Sequence, residues 1–295
     1  MSEPKISSTG QVSLPFDFFR EPDRNFEKGG RSFYFFDFDD NVIHLPTKII
    51  LFNSQTDEIK ELSTQEYALV HPQLGVEGSP WQNYYLKFNE PDSSFRNFRE
   101  QSKDRLAGRE QPLIEDMIDA LRHPFLEWRG PSWGFFVYAV NNNRPISIIT
   151  ARGHHPYTVR RAINMLVQSR DLHAHPNYLS VYPLSHPEIK NFLAPQTEEL
   201  STAEMKKLAI KQAVKDAFLC YGENPYHRFG MSDDDPKNVA VILEAMIELK
   251  EIYPENAFFV INTHGRKLVK EEVLPKGQIS IESSDSLQVP LLDKT

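Results

Sequence analysis

Hydrophobic and polar positions change their rhythm several times along this chain. Residues 1–30 are mixed and polar and end in the loop signal Glu27-Lys28-Gly29-Gly30. The next run, Ser32-Phe33-Tyr34-Phe35-Phe36, is aromatic at both alternating sets of positions, as expected of a strand buried on two faces. Residues 47–62 read as a β-hairpin around the turn-like Asn53 to Glu58. From 63 to 132 the pattern is less regular, with helices expected near 101–106 and 112–121. Beyond an apolar run at 134–140, strands expected at 145–149, 178–182, 227–231 and 257–262 alternate with helices at 158–172, 201–218 and 238–249. Thr202 is a plausible N-cap for the second of these helices, and Ala209, Ala213 and Ala217 line one of its faces. This alternation predicts an α/β fold with a mainly parallel sheet covered by helices. From Gln278 the chain is polar, and 278–295 reads as a loose tail.

Composition narrows the classes. With 40% hydrophobic and 25% charged residues, a globular core is expected rather than wholesale disorder. The formal net charge of -8 argues against a general nucleic-acid or anionic-membrane binder. One cysteine, Cys220, excludes a disulfide framework and a cysteine zinc cluster, and it is expected to be a small buried hydrophobe. No signal-like apolar region follows Met1, and no apolar run approaches the ~20 residues of a membrane helix, so a soluble, cytoplasmic protein is expected.

Ligands of open α/β sheets bind outside the carboxyl ends of strands. Three expected strand ends bear polar clusters: Asp37/Asp39/Asp40, Thr150/Arg152 and Asp233/Asp234/Asp235, with Lys206-Lys207 at a helix start before the third. Acids gathered from separate loops repel unless a cation lies between them, and an all-oxygen set favours Mg²⁺. A carboxylate, a hydroxyl and a lysine beside that ion suit a phosphoryl group. Arg152 is a candidate for substrate contact, with a surface ion pair as the competing reading. His154-His155 reads as a solvated loop pair, Asp235 as a helix N-terminal acid, and the Ser94 to Arg99 run as a surface helix. Asp17, which lacks an acid two positions on, reads as a turn or strand-edge residue.

The order of these motifs resembles the haloacid dehalogenase (HAD) superfamily, over about residues 31–60 and 135–262. The first motif matches Phe33 to Val42, an apolar strand followed by Asp37-Phe38-Asp39, with Asn41 a departure from the usual Thr or Val. Ile146 to Arg152 is similar to the second motif and Gly230 to Asn238 to the acidic fourth, in which Ser232 replaces a glycine. The resemblance implies a Rossmannoid core of residues 31–62 and 133–277, helices on both sheet faces, and a small inserted cap at 63–132. It further implies an Mg²⁺-dependent phosphatase working through an aspartyl-phosphate on a small phosphorylated substrate. By that resemblance Asp37 is the nucleophile and Asp39 the general acid/base. Thr150 donates to the phosphoryl group, and Lys206 is the third-motif lysine, with Lys207 the competitor. Asp37, Asp39 (through its carbonyl), Asp233 and Asp234 are the implied metal ligands. Trp81, Tyr84 and Tyr85 are candidate pocket walls. A phosphatase of nucleic-acid ends and a non-catalytic binding protein of the same fold stay open as alternatives.

Overall fold

The structure, a computed structural model, describes residues 20–88, 91–195, 200–265 and 268–283. Asp17 therefore lies outside the described residues.

Strand β1 (Ser32–Phe36) leads into a loop, then the hairpin of β2 (Ile49–Asn53) and β3 (Ile59–Leu62). Segment 63–132 follows with α1 (Thr64–Val70), β4 (Tyr84–Tyr85), α2 (Lys103–Leu106), α3 (Pro112–Ala120) and α4 (Phe125–Trp128). The chain continues through α5 (Trp133–Asn141), β5 (Pro145–Thr150), α6 (Pro156–Gln168), β6 (Asn177–Pro183) and α7 (Pro187–Leu193). It ends with α8 (Thr202–Tyr221), β7 (Arg228–Asp233), α9 (Pro236–Ile252), β8 (Ala257–Asn262), β9 (Val269–Val273) and β10 (Ile279–Ser283). The fold is α/β, with a mixed but mainly parallel sheet in the order β10-β9-β8-β7-β1-β5-β6. The strands from β8 through β6 pair in parallel, while β9 and β10 add antiparallel.

Alternation along β1 explains why helices cover both sheet faces. Phe33 and Phe35 join a core with Met205, Ala209, Ala213 and Ala217 of α8 and Ile242 and Met246 of α9. Phe36, with Ile146 and Ile148 of β5, packs on the opposite face against Leu113 and Met117 of α3, Phe136 of α5 and Val159 and Ile163 of α6. A period of two on each strand thus feeds two separate cores.

Several expectations shift. The apolar run at 134–140, to which the pattern assigns no element, forms helix α5, and a short turn joins it to β5. Ser201, not Thr202, caps α8: its side chain accepts from the Glu204 N–H while the Glu204 carboxylate reaches back to the Ser201 N–H. Residues 279–283, expected in a loose tail, pair antiparallel with β9. The polar stretch before β1 is pinned too, since Asp23 accepts from the Ser32 N–H (2.7 Å) and pairs with Arg144 (3.2 Å). Cys220 is exposed rather than buried, because it lies on the outer face of α8.

Candidate functional site

In the strand order, β5 and β6 extend to one side of β1, whereas β7 and β8 extend to the other. The chain therefore reverses direction at β1, and a crevice opens at the carboxyl ends of β1 and β7. Asp37 is the first residue beyond β1, and its N–H donates to the Ser232 carbonyl of β7 (3.1 Å). Asp233 ends β7. Thr150 ends β5, so all three expected polar clusters meet at one sheet edge.

Lys206 comes from the opening of α8, on the same helical face as Ala209 and Ala213. Its ammonium donates to Asp37 Oδ1 (2.8 Å) and Asp233 Oδ2 (2.6 Å) and is 1% exposed. Lys207 sits one helical step away, outside the cluster, and pairs with Glu244 and Glu248. The choice between the two lysines is thus decided by which face of α8 meets the sheet.

One oxygen from each of Asp37, Asp233 and Asp234 can lie within 4.8 Å of the others. Lys206 brings one positive charge to three carboxylates, two of them buried. Burial pushes the Asp37 pKa up and the Asp233 charge adds to the rise, while Lys206 pulls against both. Burial, then the charges of Asp233 and Asp40, push Asp234 up to about 7. Lys206 is raised despite its burial, because Asp37 and Asp233 favour its charged form. Surplus negative charge on hard oxygen donors fits a divalent cation such as Mg²⁺. Asp233 is further fixed by the Asp235 N–H (3.0 Å) and the Asn238 amide (3.2 Å) at its other oxygen. Asp235 itself is the N-cap of α9, accepting from the Lys237 N–H, in keeping with its reading as a helix N-terminal acid.

Asp39 is held differently. Arg152 Nε lies 2.9 Å from both carboxylate oxygens, Arg152 Nη2 donates to Oδ1 (2.6 Å), and Thr150 Oγ1 donates to Oδ2 (3.1 Å). Two expectations change here. Arg152 is 1% exposed and makes no surface pair. The single hydroxyl proton of Thr150 is turned to Asp39, so in this arrangement it does not await a phosphoryl oxygen.

Asp40 takes the left-handed conformation (φ 58°) at the turn after β1. Its carboxylate receives Thr64 Oγ1 (2.6 Å) from α1 and lies 3.0 Å from His44 Nδ1. Burial opposes its ionisation, but these two hydrogen bonds together with the charges of His44 and Arg152 outweigh burial and hold its pKa below the usual carboxylate range.

Asn41, a departure from the motif in sequence, is wholly buried. Its amide nitrogen lies within 3.1 Å of the Asp37 carbonyl and of the Ser232 carbonyl and hydroxyl, and its oxygen accepts from Thr263 (2.8 Å). It thereby ties the ends of β1 and β7 to the loop after β8. Thr263 carried no signal in the sequence, because its partner is 222 positions away.

The cleft above Asp37, Asp39 and Asp234 is walled on one side by Thr64, Gln65, Tyr67 and His71. Trp81, Tyr84 and Tyr85 are not among its walls. Tyr84 and Trp81 instead pack with Leu51, Leu62 and Val70 in a small core of their own. The cleft continues along α5 past Trp133 and Tyr138 as far as Glu21, so its total volume of about 1840 Å³ sets no substrate size. His154 is buried, contrary to the solvated pair expected, and burial lowers its pKa well below the usual histidine value, with Arg152 and His186 adding to the effect. His155 remains exposed as the N-cap of α6. The run from Ser94 to Arg99 contains only a short 3₁₀ turn, Arg96–Phe98, and Ser94 is buried.

Compared with known proteins, the chain matches no family model, no curated protein and no solved structure. Among the described residues, no helix is long and apolar enough to cross a membrane.

Proposed function

We propose that this protein is a phosphohydrolase of the HAD type, dependent on Mg²⁺ and acting through an aspartyl-phosphate on Asp37. One observation carries the reading: Lys206 bridges Asp37 and Asp233 in the β1/β7 crevice, with Asp234 completing a carboxylate triad. Asp37, Asp233 and Asp234, with the carbonyl of Asp39, are the residues that would hold Mg²⁺. When bound, the ion supplies the charge neutralisation that lets a carboxylate approach a phosphate.

The chain's own groups divide the remaining work. Asp37 attacks phosphorus, forming an acyl phosphate as the bond to the leaving oxygen breaks. Asp39 passes a proton to that oxygen and then takes one from the water that hydrolyses the acyl phosphate. Lys206 holds the nucleophile in place and offsets its charge. Segment 63–132 lies over the cleft through α1 and would act as a cap, excluding water and selecting the substrate. A small phosphorylated molecule suits this site better than a nucleic acid, since acids outnumber cations at its mouth.

The test is a broad phosphate-ester screen with and without Mg²⁺, run beside the Asp37→Asn variant. Wild-type protein should show Mg²⁺-dependent turnover. The variant should fold, and lose activity by about a thousandfold or more. Turnover that survives Asp37→Asn would leave Asp37 as a ligand at most and end the aspartyl-phosphate mechanism.

A further inference from the structure

Arg152 lies two residues beyond β5, and its guanidinium has no edge in the cleft. Nε and Nη2 hold Asp39, and Nη2 also donates to Thr47 Oγ1 (2.7 Å). Nη1 is enclosed without a partner, and Arg152 is absent from the cleft walls, whereas Asp39 is among them. The guanidinium stacks on the ring of Phe98, with Cζ 4.8 Å from the ring centre. Thr47 in turn donates to Asp116 of α3. The neighbouring backbone is stitched to the same segment: Gly153 N–H donates to the Phe98 carbonyl (2.8 Å) and Glu100 N–H to the Gly153 carbonyl (3.2 Å). One side of Arg152 is therefore set by residues 98–116, and the other fixes both oxygens of Asp39.

We propose that Arg152 is a positioning residue for Asp39, oriented by the docking of segment 63–132, and not a substrate contact. A planar fork that grips two oxygens fixes rotation as well as place, which a lysine ammonium cannot do. The Asp39 side chain is 20% exposed, and without Arg152 only the single hydrogen bond from Thr150 would hold it, leaving it able to turn about that one contact within the cleft. The step most sensitive to that freedom is hydrolysis of the acyl phosphate, where Asp39 must meet a water molecule with no tether of its own. The inference rests on the assignment of Asp37 and Asp39 made above.

The test uses the full chain with Mg²⁺ and acetyl phosphate, followed by acid quench and mass spectrometry of the Asp37 peptide over time. Phosphoryl transfer to the Asp37 carboxylate releases acetate, a leaving group that needs no proton from Asp39. Water then breaks the new bond, Asp39 takes the water proton, and phosphate leaves. Wild-type protein should carry a short-lived label. In Arg152→Lys the label should still form, but its breakdown should slow by about tenfold or more, the scale of a misplaced general base. Phe98→Leu keeps the guanidinium but removes its ring platform, so its label should also outlast that of the wild type. It decides the matter alone if Arg152→Lys does not fold. Labels that decay at the wild-type rate in both variants would overturn the positioning role while leaving the phosphohydrolase reading intact. A label that never forms in the wild type or in either variant would overturn both.

Discussion

Lys206 shows what a buried charge requires of its surroundings. Its ammonium is almost wholly enclosed, yet two carboxylates within 2.8 Å keep it protonated. Removing it leaves Asp37 and Asp233 facing each other without compensation. Lys206→Met should therefore cost about 3–5 kcal/mol, the usual price of breaking a buried pair. The loss should shrink as pH falls, because protonating either acid removes the unpaired charge, and Mg²⁺ should restore part of the stability. Chemical denaturation at pH 5 and pH 8, with and without Mg²⁺, measures all three effects. A variant as stable as the wild type at pH 8 without metal would mean that the triad is not held as described. Arg152 and His154 mark the same principle from the other side. Polar residues beside a strand end look solvent-exposed in sequence, yet both are buried, Arg152 beneath the ring of Phe98.

At the scale of elements, the site depends on loops fastened from outside the sheet. Gly130 and Ser132 donate their N–H groups to the Val42 and Asn41 carbonyls, closing the turn that follows Asp37 and Asp39. A Cβ at Gly130 would fall 2.4 Å from the Asn41 carbonyl oxygen, a backbone atom that cannot rotate aside. Gly130→Ala should therefore destabilise the fold by about 1–3 kcal/mol, the range for overpacking, and displace the Asn41 anchor with it. Thermal unfolding measures the first effect, and Mg²⁺-dependent turnover the second. An unchanged melting temperature would show that the close approach is not maintained. Helix α8 makes the complementary point. Its capping box at Ser201 and Glu204 sets where the helix begins, and that phase puts Lys206 on the inner face and Lys207 on the outer.

For the whole molecule, the carboxylates at the β1/β7 crevice tie stability to pH and metal. Asp234 titrates near 4 when unfolded and at about 7 when folded, and Asp37 is raised as well. Below about pH 7 these two carboxylates bind more protons in the native state than in the unfolded one, so their contribution falls as pH rises, while His154, His186 and His227, lowered by burial, act in the opposite sense up to the ordinary histidine pKa. Asp40 is lowered, so its own contribution is lost only as pH falls below the ordinary carboxylate range. Relative to Asp234→Asn, which carries the same histidines, the metal-free wild-type protein should lose melting temperature between pH 5.5 and pH 7.5. Mg²⁺ should raise the midpoint more at pH 7.5, because its ligands must be deprotonated, and Asp234→Asn should flatten that difference. Calorimetry across pH and Mg²⁺ checks this. A metal-induced shift that is equal at both pH values would argue against Asp234 as a ligand.

Local pattern was enough to establish the α/β class, the positions of most strands and helices, and the identity of the polar residues at three strand ends. These are local properties: a period of two or of 3.6, and polar residues placed directly after an apolar run, need no knowledge of distant contacts. Tertiary structure alone decided which lysine reaches the acids, that Arg152 grips Asp39 rather than a surface partner, and that Asn41 and Thr263 lock the strand ends. It also decided that Tyr67 and His71, not Trp81 and Tyr84, wall the cleft, and that residues 279–283 extend the sheet. Each of these depends on which faces meet across tens to hundreds of positions or on an exposed edge offering a hydrogen-bonding partner. Neither condition leaves a periodic trace in the chain.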